Sequence, residues 1–229
     1  MRYYPVCLDL EGKNCLVVGG GKVAWRKIKR LLDCGAKIKL VAKEIIPELK
    51  NIISDKRITY LSSEYKTDYL KGVFLVIGAT NDEILNARLS KEANAANILC
   101  NIVDQPEKCN FIVPSVVTRG DLTIAISTAG KSPAMAKKLR EELEKQFGED
   151  YAVFLELLGQ LRSYFKKVVP HQKEREVIFD KLINSNLLTY IKEKNWEAAK
   201  KEIKKFVPKT LDLEKLLNFK SEEKLQNNA

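Results

Sequence analysis

Apolar residues in the first hundred positions fall into short continuous runs separated by stripes at helical spacing. Tyr4 to Leu10 reads as a short lead-in strand closing at Glu11-Gly12, and Asn14 to Val18 as a buried strand. Between Val23 and Leu32, the positions Val23, Ala24, Ile28, Leu31 and Leu32 recur as one helix face, with Gly35 placed as a C-cap. Lys37 to Val41 alternates as a second strand, and Ile58 to Leu61 is a third. Val73 to Ala79 has the unbroken hydrophobicity of a strand covered on both faces. A helix from Asp82 toward Ala96 and a strand from Ile98 to Val103 follow. Strands alternating with helices in this way predict an α/β fold with a parallel sheet.

The junction Val18-Gly19-Gly20-Gly21-Lys22-Val23-Ala24 changes this from a fold prediction to a chemical one. Gly19 suits a tight turn, Gly21 removes a Cβ from the path of a pyrophosphate, and Ala24 permits close helix-strand packing. The helix starting near Lys22 aims free N–H groups and its positive dipole end at an anion. A plain strand-helix turn has the same glycines, so the strand-helix-strand context carries the inference. Just past the second strand, Glu44 lies 23 positions after Gly21, where a carboxylate accepts hydrogen bonds from an adenosine ribose and favours NAD. The neighbouring Lys43 suits a 2′-phosphate instead, and a solvated helix start explains Glu44 equally. Thr80, Asn81 and Asp82 follow the fourth strand, where they cap a helix and line the crevice over a cofactor. Asp104 stands at the carboxyl end of the fifth strand, where a carboxylate can act as a general base. An Asp before Gln105-Pro106 serves equally to bond the local backbone.

Beyond Pro114 the pattern changes. Ser115 to Thr118 and Leu122 to Ser127 form a hairpin around Arg119-Gly120-Asp121. Thr128-Ala129-Gly130-Lys131-Ser132 is not a phosphate loop, because the glycine required five residues before Gly130 is Ala125. Ser132 and Pro133 instead start a helix carrying Ala134, Met135, Leu139 and Leu143 and ending near Gly148. Helices near 151–166, 172–184, 187–194 and 196–206 complete the chain, and 221–229 reads as a frayed polar tail.

Composition narrows the partners. The 229 residues suffice for a full core. The absence of a long apolar run or signal-like leader leads to the expectation of a cytoplasmic protein that does not enter membranes. Five cysteines in no paired spacing are expected as reduced thiols. A single histidine, His171, argues against a histidine metal cage or a His-based triad, and no metal ligand set is assigned. The net charge of +10 is concentrated in residues 1–147, with 24 Lys and Arg against 17 Asp and Glu. These cations are interspersed with acids rather than clustered with aromatics, which favours a polyanionic small molecule over nucleic acid.

Several segments together resemble the dehydrogenase-ferrochelatase module of siroheme synthases: Tyr4-Pro5-Val6, Val17 to Ala24 with Arg26-Lys27, Asn101 to Asp104, Phe111 to Pro114, and Ile126 to Pro133. The likeness covers residues 1 to about 148. It implies an NAD-binding Rossmann domain (1–113), a dimerisation segment of hairpin plus helix (114–148) that builds a homodimer, and a C-terminal helical domain (149–229). The implied reaction is NAD-dependent dehydrogenation of precorrin-2 to sirohydrochlorin, with ferrous iron as a second substrate in bifunctional members. The resemblance places catalysis on Asp104 and cofactor contacts at Gly21, Lys22, Val23, Lys43 and Glu44, beside Gly19 from the turn reading and Thr80 and Asn81 from the crevice reading. Lys43, where the family has an uncharged residue, leaves NAD against NADP open. The alternative is a dinucleotide-sensing regulatory module without catalysis, which explains the glycine turn but not Asp104 together with the 126–133 segment.

Overall fold

The computed structural model describes residues 2–53, 55–207 and Leu213. The expected tail at 221–229 lies outside the described residues. Five strands, β1 (Asn14–Val18), β2 (Lys37–Val41), β3 (Ile58–Ser62), β4 (Leu75–Gly78) and β5 (Leu99–Ile102), form an all-parallel sheet in the order β3-β2-β1-β4-β5. The strand order reverses between β1 and β4, which opens a crevice outside their carboxyl ends.

Alternate residues of each strand feed two cores. Cys15 and Val17 of β1, Ile38 and Leu40 of β2, and Leu75 and Ile77 of β4 are buried under α1 (Lys22–Asp33) and α2 (Pro47–Lys50). Leu16, Val18, Val76, Cys100 and Ile102 face the other side, under Leu89 and Ala93 of α3 (Glu83–Ala95) and under Leu70 of a single 3-10 turn, Thr67–Leu70. Burial on both faces explains the continuous apolar runs. Helix α1 stops in a Schellman motif, in which Gly35, at φ +77°, donates to the Leu32 carbonyl and Ala36 to that of Leu31.

The lead-in strand expected at Tyr4 to Leu10 is not present. Its apolar residues Tyr4, Val6 and Leu8 are exposed and find no core to cover, so the alternation has nothing to bury and the segment joins no sheet; Leu10 alone of these is buried.

The chain divides into two compact units, 1–113 with 129–131, and 114–128 with 132–229. In the second unit, β6 (Ser115–Arg119) pairs antiparallel with β7 (Leu122–Ile126) through a two-residue loop whose Gly120 has φ +54°. Arg119 donates to the Phe147 and Glu144 carbonyls and so ties the hairpin to the end of α4 (Pro133–Gln146). The helices α5 (Asp150–Val168), α6 (Gln172–Ile183), α7 (Leu187–Lys192) and α8 (Trp196–Ile203) enclose a separate core. It is centred on Leu161, Phe165, Leu182 and Leu187, and Phe165 and Phe179 meet edge to face at 5.9 Å.

Candidate active site

The glycine turn is built by close backbone approach on two sides. Gly19, at φ +123°, donates to the Val41 carbonyl, and a Cβ there would stand 2.2 Å from the Ala79 carbonyl oxygen. A Cβ on Gly20 would come within 2.0 Å of the Glu44 carbonyl oxygen, and the Gly20 carbonyl accepts from the Ile46 N–H. The turn is thus wedged between the loop after β4 and the loop after β2. Gly21 differs from both, because it has ordinary extended backbone and a Cβ there would meet nothing within 4 Å. It is the N-cap of α1 and faces open space.

This open end fits an anion. No side chain caps α1 and its first turn holds no acidic residue, whereas Asp82 caps α3, Ser132 caps α4 and Asn195 caps α8, and the uncapped α2, α5 and α6 each carry an acid in their first turn; the short α7 alone shares both features. The N–H groups of Lys22 and Val23 belong to a helix start and have no intrahelical acceptor. A phosphate placed against Gly21 would satisfy them without displacing a protein group.

The other residues anticipated from sequence surround the same crevice. Lys43 and Glu44 are exposed just past β2 and make no hydrogen bond or ion pair through their side chains among the described residues. Thr80 is half-buried and held in place, its hydroxyl 3.0 Å from Asn86 Oδ1 and accepting from the Asp82 N–H, while Asn81 is exposed beside it. Asp82 accepts from the Leu85 N–H at 2.9 Å as the cap of α3. Replacing it by alanine is expected to cost about 1 kcal/mol of stability, measured as a lowered urea midpoint, with little effect on the chemistry.

Asp104 lies two residues past β5 with its carboxylate exposed and its backbone at φ +58°, a left-handed conformation that Asp tolerates better than most residues. The following segment is anchored. The Cys109 thiol accepts from the Ile102 N–H and lies 3.2 Å from the Gln105 carbonyl, and Asn110 Oδ1 accepts from the Cys100 N–H at 2.7 Å. The Gln105 side-chain oxygen is buried without a hydrogen-bond partner among the described residues.

Four residues of this neighbourhood were not anticipated as site components: Gly20, Asn86, Cys109 and Lys27. The glycine run contained the signal for Gly20. Lys27, half-buried on α1, lies within electrostatic reach of Asp104 and Cys109. Burial pushes its ammonium pKa below the usual lysine range, and Arg30 and Arg26 push the same way; Asp104 and Cys109 oppose them more weakly. A charged lysine so placed costs folding free energy below its depressed folded pKa, and that cost fades as pH rises to the ordinary lysine value.

Thiol chemistry plays no visible part here. Burial raises Cys15 to about 11 and Cys100 to about 12 and also raises Cys109, so these thiols stay protonated near neutrality. Cys7 and Cys34 are exposed, and all five are free. No three His, Cys, Asp or Glu side chains group as a metal site among the described residues, and no described helix is long and apolar enough to cross a membrane.

Comparison with known proteins agrees with this geometry. An NAD(P)-binding family model matches residues 6–115, and a model of the central part of sirohaem biosynthesis proteins matches 119–146, the end of β6 through α4. The chain is 38% identical over 203 residues to a siroheme synthase of Zymomonas mobilis, covering 89% of this chain and 43% of that protein. A siroheme synthase of Buchnera aphidicola is 37% identical over 213 residues, covering 93% and 45%. The solved structure of SirC, a precorrin-2 dehydrogenase, superposes with a TM-score of 0.72 at 27% identity, over 87% of this chain and all of that one. The chain is similar over most of its length to part of the siroheme synthases and to the whole of a precorrin-2 dehydrogenase. It spans less than half the length of the siroheme synthases it matches. The NAD(P)-binding match ends just past Val113, where the first unit also ends apart from residues 129–131.

Proposed function

We propose that this chain dehydrogenates precorrin-2 to sirohydrochlorin with NAD as the hydride acceptor. One observation carries the reading. The uncapped start of α1 opens at the switch point of the sheet, and a carboxylate, Asp104, stands at the carboxyl end of β5 in the same unit. NAD bound there supplies the two-electron acceptor. The chain supplies binding and proton transfer. Gly21, Lys22 and Val23 receive the pyrophosphate, and Glu44 accepts from ribose hydroxyls. Lys43 sits close enough in sequence to admit a 2′-phosphate. Thr80, fixed by Asn86, and Asn81 line the crevice, and Asp104 takes the proton that the tetrapyrrole releases as hydride leaves. The relatives' names, siroheme synthase and precorrin-2 dehydrogenase, support the substrate.

Residues 114–148 are proposed to build a homodimer, in support of which the central sirohaem family model matches this hairpin and helix. Ferrochelation is the companion proposal, with iron arriving as substrate and Asp104 accepting pyrrole protons. Incubating the protein with sirohydrochlorin and ferrous iron should give siroheme faster than a no-enzyme control, and equal rates would leave a dehydrogenase alone. The main reading is tested by anaerobic turnover of precorrin-2 with each nicotinamide cofactor. Sirohydrochlorin should form with NAD at a higher kcat/KM than with NADP, and a protein that binds NAD but yields no sirohydrochlorin would be a sensor.

A further inference from the structure

Helix α1 carries Lys22, Arg26, Lys27, Lys29 and Arg30 against a single acid, Asp33. None of these cations has an ion pair among the described residues. Helix α4 shows how a surface helix of this protein otherwise handles its charge. There Lys137 pairs with Glu141, Lys138 with Glu142, and Arg140 with Glu144, each one turn apart. On α1 the cations are spread from Lys22 in the first turn to Arg30 in the last, so the helix dipole does not account for them. Val23, Arg26, Lys27, Arg30 and Asp33 recur at intervals that put them on one face, and with Lys29 they line an open groove of about 470 Å³. Lys27 sits at the inner side of this groove, half-buried, within electrostatic reach of Asp104 and without a hydrogen bond among the described residues.

From this arrangement we infer that Lys27, with Arg26 and Arg30, forms the wall that binds the carboxylate arms of the tetrapyrrole and seats its ring system against Asp104. The inference rests on the functional reading above and adds the residues that recognise the substrate. A dinucleotide does not account for the same cations. A pyrophosphate at Gly21 would meet only the first turn, whereas Arg26 and Arg30 stand about 8 and 14 Å beyond Gly21 along the helix axis at about 1.5 Å per residue. A polycarboxylate is the ligand class that uses several separated cations beside a proton acceptor, since each carboxylate arm takes its own charge-assisted hydrogen bonds.

The test is titration of sirohydrochlorin and, separately, of NAD into the full chain and its variants, together with precorrin-2 kinetics. Lys27→Gln and the double variant Arg26→Gln/Arg30→Gln should each weaken sirohydrochlorin binding by about tenfold or more, as expected for a lost charge-assisted hydrogen bond. The KM for precorrin-2 should rise in step, while NAD affinity stays within about twofold and the salt dependence of sirohydrochlorin binding becomes shallower. Lys27→Arg should retain most binding, and Lys91→Gln on the exposed face of α3, a charge loss away from the site, should behave as wild type. Lys27→Gln should melt no lower than wild type, because it removes a desolvated charge. Unchanged sirohydrochlorin affinity in both variants would overturn the inference, as would a parallel loss of NAD binding. If the wild-type protein itself neither binds sirohydrochlorin nor oxidises precorrin-2, the functional reading fails and the inference with it, an outcome visible before any variant is made.

Discussion

Replacing Asp104 by asparagine should lower the rate of sirohydrochlorin formation by about 10²- to 10⁴-fold, the range expected for removal of a general base. Asparagine is the informative substitution because it isolates the proton acceptor. Residue 104 has φ +58°, a conformation that Asn adopts as readily as Asp, and its carboxylate is exposed, so neither backbone strain nor lost packing should accompany the change. Asp104→Ala should lower turnover at least as far, with some added backbone cost. In both variants NAD should bind as in wild type, because the proposed pyrophosphate site is at Gly21, the N-cap of α1. Thermal melts with and without NAD separate the two effects: an unchanged ligand-induced shift alongside lost turnover assigns Asp104 to chemistry, whereas wild-type turnover would remove it from the mechanism.

Gly21→Ala should do the reverse, weakening NAD binding by about 10- to 100-fold, the equivalent of one or two lost charge-assisted hydrogen bonds, while leaving the fold intact. The reason is geometric. Gly21 has φ −88° and open space where its Cβ would be, so alanine is accommodated and even restricts the unfolded chain. Only a ligand approaching the start of α1 meets the new methyl group. Gly19→Ala and Gly20→Ala, by contrast, drive a Cβ to 2.2 Å from the Ala79 oxygen and 2.0 Å from the Glu44 oxygen, and should reduce stability whether or not NAD is present. Calorimetric titration of NAD into folded Gly21→Ala protein provides the measurement. Normal affinity there would move the cofactor away from the glycine turn.

Much of the parallel sheet was legible because burial on both faces leaves a simple signature, and runs such as Leu75 to Gly78 contain nothing but apolar residues and glycine. The roles within the glycine turn were only partly legible. Spacing identified Gly19 and Gly21, but the demand on Gly20 comes from the Glu44 carbonyl, a neighbour 24 positions away whose approach no local pattern encodes. The Tyr4 to Leu10 segment failed as a strand for a related reason, since alternation describes one strand and says nothing of whether a core lies beneath its apolar side chains, and Tyr4, Val6 and Leu8 are exposed. Lys27 was visible only within the Arg26-Lys27 pair of the family-like segment, with no role attached to it. Its significance depends on α1 placing it, half-buried, within reach of Asp104, a residue 77 positions later. Asp104 itself needed the family resemblance to rise above a backbone-capping role, and the structure adds its left-handed backbone at the carboxyl end of β5.

If the glycine turn and Asp104 serve one hydride transfer from a tetrapyrrole, the decisive experiment mixes enzyme in excess with precorrin-2 and NAD under anaerobic conditions and follows reduced nicotinamide and sirohydrochlorin together. Both should appear with the same time course and in equal amounts, and both should slow together by about 10²- to 10⁴-fold in Asp104→Asn. Sirohydrochlorin formed without reduced nicotinamide, or NAD bound with neither product formed, would contradict such a transfer.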